Sequence, residues 1–161
     1  MISIEALTKE RLSDAINLTK EVFGESTAKK DLPASLTPDK YKKYLEKTEI
    51  FNLEYWVAVD GNDILGVIGL YSEENGKEET RWIGWFCVNP LARKRGIGSQ
   101  LLRFVIEKAR MEGRKTLKVY TSDHPTEINS HRLYEKHGFQ LFKKRPVGNT
   151  GYMFLYYQLE L

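Results

Sequence analysis

Two hydrophobic periods alternate along the chain. Ile2, Ile4 and Ala6 recur every second residue, and beyond Thr8, a residue suited to helix capping, Leu12, Ile16 and Phe23 recur at helical spacing. A strand followed by a helix is predicted. Pro33 and Pro38 punctuate a loop, after which Thr37 or Asp39 opens a second helix carrying Tyr41, Tyr44 and Leu45. Tyr55 to Val59 and Ile64 to Tyr71 are apolar runs joined through Asp60-Gly61-Asn62-Asp63, a hairpin signal. A polar, acidic connection from Glu73 to Glu79 leads into a strand from about Thr80 to Val88. Gly84 interrupts that strand where a bulge would splay two strands apart. Ile97, Leu101, Leu102, Val105, Ile106 and Ala109 then repeat as one face of a helix that runs to about Glu112 and stops at Gly113. Thr116 to Thr121 reads as a strand, and Thr126 caps a short helix through His137 that ends at Gly138. Phe139 to Lys143 and Tyr152 to Leu159 close the chain as two strands suited to antiparallel pairing.

The run Arg93-Lys94-Arg95-Gly96-Ile97-Gly98 falls between an apolar strand and an amphipathic helix. A turn at that place leaves the first backbone N–H groups of the helix without partners, beside the positive end of its dipole, and so suits an anion. Glycine there lets phosphate approach the backbone. Spacing excludes two phosphate loops. A P-loop needs Gly-Lys followed by Ser or Thr, whereas Gly98 is followed by Ser99-Gln100; a dinucleotide fingerprint needs Gly or Ala three residues after Gly98, where Leu101 stands.

Composition narrows the class. At 161 residues, 41% hydrophobic and without a low-complexity linker, the chain suits one domain over residues 1–161 with its own core. A net charge of +3, concentrated at Arg93 to Arg95 and Lys143 to Arg145, does not demand a nucleic-acid partner. The lone Cys87 excludes an internal disulfide framework and reads as a small buried residue. The N-terminus lacks the pattern of a signal peptide and no stretch is long enough to span a bilayer, so a cytoplasmic location without membrane attachment is the expectation. Spaced Cys and His clusters are missing, and no metal is expected.

Arg-x-x-Gly-x-Gly after a strand ending in Val88-Asn89-Pro90, followed by Tyr134-Glu135-Lys136-His137-Gly138-Phe139, closely resembles the GNAT N-acetyltransferase superfamily. The resemblance spans nearly the whole chain and is strongest from Trp82 to Phe139. It implies a mixed α/β (α+β) fold: a central, mostly antiparallel sheet flanked by helices, in the order β-α-α-β-β-β-α-β-α-β-β. It also implies acetyl-coenzyme A as cosubstrate. The backbone around Arg95, Gly96, Ile97, Gly98 and Ser99 would hold the pyrophosphate, and Arg93 occupies the family's Gln/Arg position. Lys94 and Arg95 would attract the nucleotide phosphates. The backbone of Cys87 and Val88 would pair with the pantetheine amides as an added strand does. Tyr134 would protonate the departing thiolate as general acid.

One departure stands in this helix: Glu127 occupies the place where family members often carry Asn seven residues before the tyrosine, with Asn129 two residues later. A contact from Asn129 to the coenzyme is therefore a weaker implication. For the general base that frees an amine of its proton, position selects Glu79, Asp123 and His124. Glu73, Glu74, Glu78 and Glu79, with Trp82, Trp85, Tyr55 and Trp56, could attract a cationic acceptor. The leading expectation is an enzyme transferring acetyl directly to a primary amine of a small molecule or protein, with a homodimer allowed. A noncatalytic acyl-coenzyme A sensor and a nucleic-acid module on the basic runs are the rival classes.

Overall fold

In a computed structural model, which describes residues 1–73 and 79–161, the chain forms a central sheet with helices on both faces. The first strand, β1 (Ile2–Ala6), is followed by α1 (Lys9–Phe23), α2 (Ala28–Leu36) and, after a 3-10 turn at Pro38–Tyr41, α3 (Lys42–Thr48). The long hairpin is β2 (Ile50–Asp60) and β3 (Asp63–Glu73). It is followed by β4 (Thr80–Ile83), β5 (Cys87–Val88) and α4 (Ile97–Met111). The chain closes with β6 (Thr116–Ser122), α5 (Ile128–Lys136), β7 (Gln140–Pro146) and β8 (Met153–Glu160). Among the described residues the sheet has eight strands in the order β1-β2-β3-β4-β6-β8-β7, with β5 also on β3. Only β4 and β6 run parallel.

The N-terminal region departs from expectation. Residues expected to form a loop around Pro33 are helical, which puts three helices rather than two between β1 and β2. Proline removes one helical donor. Burial of Ala28, Leu32 and Ala34 against α1 and β2, with a hydrogen bond from Thr37 N–H to the Pro33 carbonyl, outweighs that loss. Thr8 occupies the N-cap position of α1 in an extended conformation but makes no side-chain cap bond. Thr126 lies inside a 3-10 turn at Pro125–Glu127, where the His124 side chain accepts from its N–H, so His124 takes the capping role expected of Thr126.

The apolar face of α4 packs as its period predicts. Ile97, Leu101, Leu102, Val105, Ile106 and Ala109 are buried against β3, β6 and β8. Gly66 on β3 makes room for this helix, since a Cβ there would lie 2.7 Å from Leu101 Cδ1. A second core cluster joins α1 and α2 to the opposite face through Leu18, Leu32, Tyr55, Val57 and Val67. Along β6, Leu117, Val119 and Thr121 are buried while Lys118 and Tyr120 point the other way. That other face, over β4, β6, β8 and β7, bears no helix of the first core cluster.

Candidate active site

The parallel pair opens partway along its length. β4 pairs with β6 from Thr80↔Thr116 to Trp82↔Lys118, and no further. Ile83 faces Leu70 of β3 and Cys87 faces Val67, so the three residues 84–86 oppose the two residues 68 and 69. This is the bulge that Gly84 marks. It carries β5 onward beside β3 while β6 continues with β8, and a slot forms between the facing edges of β5 and Val119–Ser122.

Three contacts hold the bulge in place. Gly84 N–H donates to the Gly69 carbonyl at 2.8 Å, and the Tyr55 ring fills the space a Cβ on Gly69 would need, 2.4 Å away. Trp85 Nε1 donates to Asp31 Oδ2 at 2.8 Å. Asp31 is buried on α2 and also accepts from Tyr44 Oη at 2.6 Å and Thr27 Oγ1 at 3.1 Å. The helix that was expected to be a loop thus anchors the opening. Sequence reasoning missed Asp31, Tyr44 and this role of Tyr55; an acidic residue three positions from both Ala28 and Ala34, on the apolar face, was the available signal.

On the helix-covered face, the slot meets the start of α4. Lys94 and Gly96 have φ of 64° and 76°, so both adopt the left-handed conformation that turns the chain into the helix. The first helical bond there is from Gln100 N–H to the Gly96 carbonyl, and no side chain caps the end. The N–H groups of Arg95, Gly96, Ile97, Gly98 and Ser99 have no partner among the described residues, which leaves donors and a helix dipole for an anion. Arg93, Lys94 and Arg95 are exposed, and Arg95 approaches Asp60 at 4.0 Å. Gly98 also serves packing. A Cβ there would lie 3.3 Å from Leu133 Cδ2 and 3.6 Å from Val88 Cγ2, so its absence lets α4 meet α5 and β5.

Tyr134 follows Leu133 at this junction. Its ring is buried among Phe86, Phe139 and Tyr157, with centroids 6.3, 5.6 and 6.0 Å away. Its hydroxyl has no hydrogen-bond partner among the described residues. Among those residues only Arg81 Nε, ion-paired with Glu112, is fully enclosed without a hydrogen bond, so the Tyr134 hydroxyl retains access to the space outside. Burial, and secondarily the Glu127 carboxylate, raises its pKa above that of an ordinary phenol and keeps it protonated. Cys87 is buried, and burial pushes its thiol up to about 12.

The three residues selected as bases are otherwise engaged. Glu79 lies at the closed end of β4, paired with Lys115 at 2.9 Å, while its carbonyl accepts from Lys115 and Thr116 N–H. Asp123 Oδ1 accepts from Met153 N–H at 2.7 Å and ties β6 to β8. His124 Nδ1 lies 2.7 Å from Thr126 Oγ1, and its ring packs on Tyr152. Asn129 is exposed on the first turn of α5. Glu127 instead binds the end of β6, accepting from Ser122 N–H at 3.1 Å.

On the face opposite α4 the slot opens into a cavity of about 590 Å³, bordered by Thr48 at the end of α3. Trp82 and Lys118, the last pair before the strands part, line it together with Tyr120. Of the other expected aromatics, Trp56 packs on Phe104 beneath α4, Tyr55 lies under the bulge, and Trp85 packs on Phe23. None of these three lines the cavity. Glu73 lines it, Glu79 does not, and Glu74 and Glu78 fall outside the described residues. No helix among the described residues is long and apolar enough to cross a membrane.

The chain belongs to the acetyltransferase (GNAT) family, whose sequence profile matches residues 19–139. It is 34% identical over 68 residues to GCN5-related N-acetyltransferase 6, chloroplastic, of Arabidopsis thaliana; the match covers 42% of this chain and 23% of that protein. A GNAT-family protein from Desulfovibrio desulfuricans has the same fold, with a TM-score of 0.79 at 18% identity over 99% of both chains. A GNAT family acetyltransferase from Elizabethkingia anophelis, solved with acetyl-CoA bound, superposes with a TM-score of 0.68 at 25% identity, covering 99% of this chain and 98% of that one.

Proposed function

We propose that residues 1–161 act as one acetyltransferase domain that moves acetyl from acetyl-coenzyme A directly to a primary amine. The observation that carries this reading is the slot itself, with unpaired strand edges on both sides and the free N–H groups of α4 at one mouth. The residues present fit the cosubstrate. Arg95, Gly96, Ile97, Gly98 and Ser99 supply backbone donors for a pyrophosphate, and Arg93 and Lys94 add positive charge. The outward backbone groups of Cys87 and Val88 are suited to pair with pantetheine amides as a further strand.

Acetyl-coenzyme A supplies an activated thioester. The C–S bond breaks as the amine nitrogen bonds the acetyl carbon, and Tyr134 gives its proton to the departing sulfur. With Glu79, Asp123 and His124 held in structural contacts, water in the open cavity takes the proton from the amine. The cytoplasmic location is part of this proposal, and cell fractionation checks it. The test of the chemistry is free-thiol release and product mass across an amine panel, with Tyr134→Phe as comparison. That variant is expected to keep cosubstrate affinity and lose about a hundredfold in turnover. Acetyl-coenzyme A binding without thiol release from any amine would overturn the reading and leave a sensor.

A further inference from the structure

The face of the sheet opposite α4 bears on the acceptor. Along β6 and β8 the buried positions alternate as a core-facing strand requires, yet the opposite positions are not the short polar residues of a solvated face. They include Tyr120, Phe154 and Tyr156, joined by Tyr71 from β3, Trp82 from β4 and Phe142 from β7, and these six rings form the floor of the cavity. The rings touch in succession: Tyr71 stacks on Trp82, while Tyr156 packs edge-on to Trp82 and Phe142 and tilts against Tyr120. An exposed aromatic surface of this kind marks a binding site, and its volume lies in the range of small-molecule sites.

Three cations stand on that floor. Lys118 Nζ lies 5.0 Å from the Phe142 ring and 5.6 Å from Trp82. Lys143 Nζ is 5.3 Å and the Arg145 guanidinium 5.9 Å from the same Tyr156 ring. None of the three has a carboxylate partner among the described residues. Two like charges over one ring repel unless an anion lies between them. Among the described residues the cavity's acids are Glu49 and Glu73, on the β2 and β3 side. Lys118 on β6 is two strand spacings from β3, about 10 Å, whereas Lys143 and Arg145 on β7 are four, about 19 Å, beyond the screening length in physiological salt. The described acids therefore leave Lys143 and Arg145 unneutralised, and a polycationic acceptor would meet positive charge at the β7 end.

We propose that the acceptor is a small primary amine carrying a carboxylate and a flat or apolar body, an amino acid in the simplest case. Its carboxylate sits among Lys118, Lys143 and Arg145, the amine on the same carbon turns toward the slot, and its body lies on Tyr120 and Tyr156. This rests on the transferase reading above for the location of the reacting thioester, but not for the binding of the carboxylate.

The test pairs phenylalanine, tryptophan and leucine with their decarboxylated amines, and adds spermidine and kanamycin as cationic probes. Thiol release is expected to favour at least one amino acid over its decarboxylated partner by about tenfold or more in kcat/KM, as a charge-assisted contact gives. Arg145→Gln should raise KM about tenfold for that amino acid and leave its partner and the acetyl-coenzyme A dissociation constant unchanged. Equal use of both members of every pair, or preference for spermidine or kanamycin, would overturn the proposal. Sedimentation velocity showing a dimer that Arg145→Glu dissociates would overturn it too, since the face would then belong to a second copy. Calorimetric titration of the same compounds into the protein with coenzyme A separates the two readings. Amino-acid binding lost in Arg145→Gln, without turnover, upholds the carboxylate site and sinks only the transfer reaction; no selective binding sinks the site.

Discussion

The two ends of the segment from Glu79 to Val88 are held by opposite means. At the closed end β4 is paired on both sides and pinned by charge. Arg81 is fully buried, with its guanidinium 2.6 Å from Glu54 and 3.3 Å from Glu112 and donating to the Asn52 carbonyl at 2.7 Å. At the open end pairing to β6 stops, and the backbone is held by side chains from elsewhere: Asp31 on Trp85, and the Tyr55 ring against Gly69 and Gly84. A sheet that paired along its whole length would be better satisfied but would offer no edge to a ligand. The closed end supplies rigidity, so that strand edges can stay free at the other.

Breaking the closed end should cost the most. Arg81→Ala leaves Glu54 and Glu112 without their shared partner, and a loss of about 3–5 kcal/mol is expected in chemical denaturation. Whatever remains folded should keep its acetyl-coenzyme A affinity within about threefold, because the contacts that hold the bulge do not involve Arg81. A large affinity loss there would show that the two ends are not separable.

Alkali should attack the other end. Burial raises the pKa of Tyr55 and Tyr134 in the folded state. Their contribution is complete below the unfolded phenol value of about 10 and is lost as pH rises through the higher folded values. Urea midpoints should be level up to that point and fall above it, by less than the loss from Arg81→Ala. A midpoint that stays level well above pH ~10 would deny that these phenols are held neutral.

Asp31→Ala sharpens the comparison. It leaves Trp85 Nε1 and the Tyr44 hydroxyl without an acceptor, at about 1–3 kcal/mol of stability. Unlike Arg81→Ala, it should also weaken acetyl-coenzyme A binding, by about tenfold in isothermal titration, because the bulge is then free to shift. The smallest effect is expected from Cys87→Ala. With the thiol held near 12 by burial, no thiolate forms at working pH, and turnover should persist with no acetyl-cysteine detected by mass spectrometry. Discharge of an acetyl group from Cys87 to an amine would require a different mechanism.

Much of the helix-covered side was legible in the sequence. The six buried residues of α4 are those its period selects, and Gly84 sits in the bulge it announced, because helical periodicity and glycine conformation are local properties. Local pattern misled where packing decided. Pro33 read as a loop until α1 and β2 buried its neighbours, and Glu79, Asp123 and His124 looked free until Lys115, Met153 and Thr126 engaged them.

By itself, then, the sequence determined the family, the order of most elements and the turn with unpaired donors, since each follows from residues close together in the chain. Tertiary structure decided what closes and what opens. Asp31 reaches Trp85 across 54 positions, and Lys118, Lys143 and Arg145 meet over one aromatic floor only because β6, β7 and β8 lie side by side. Pairing between strands distant in sequence puts such residues on one face, and no local period records it.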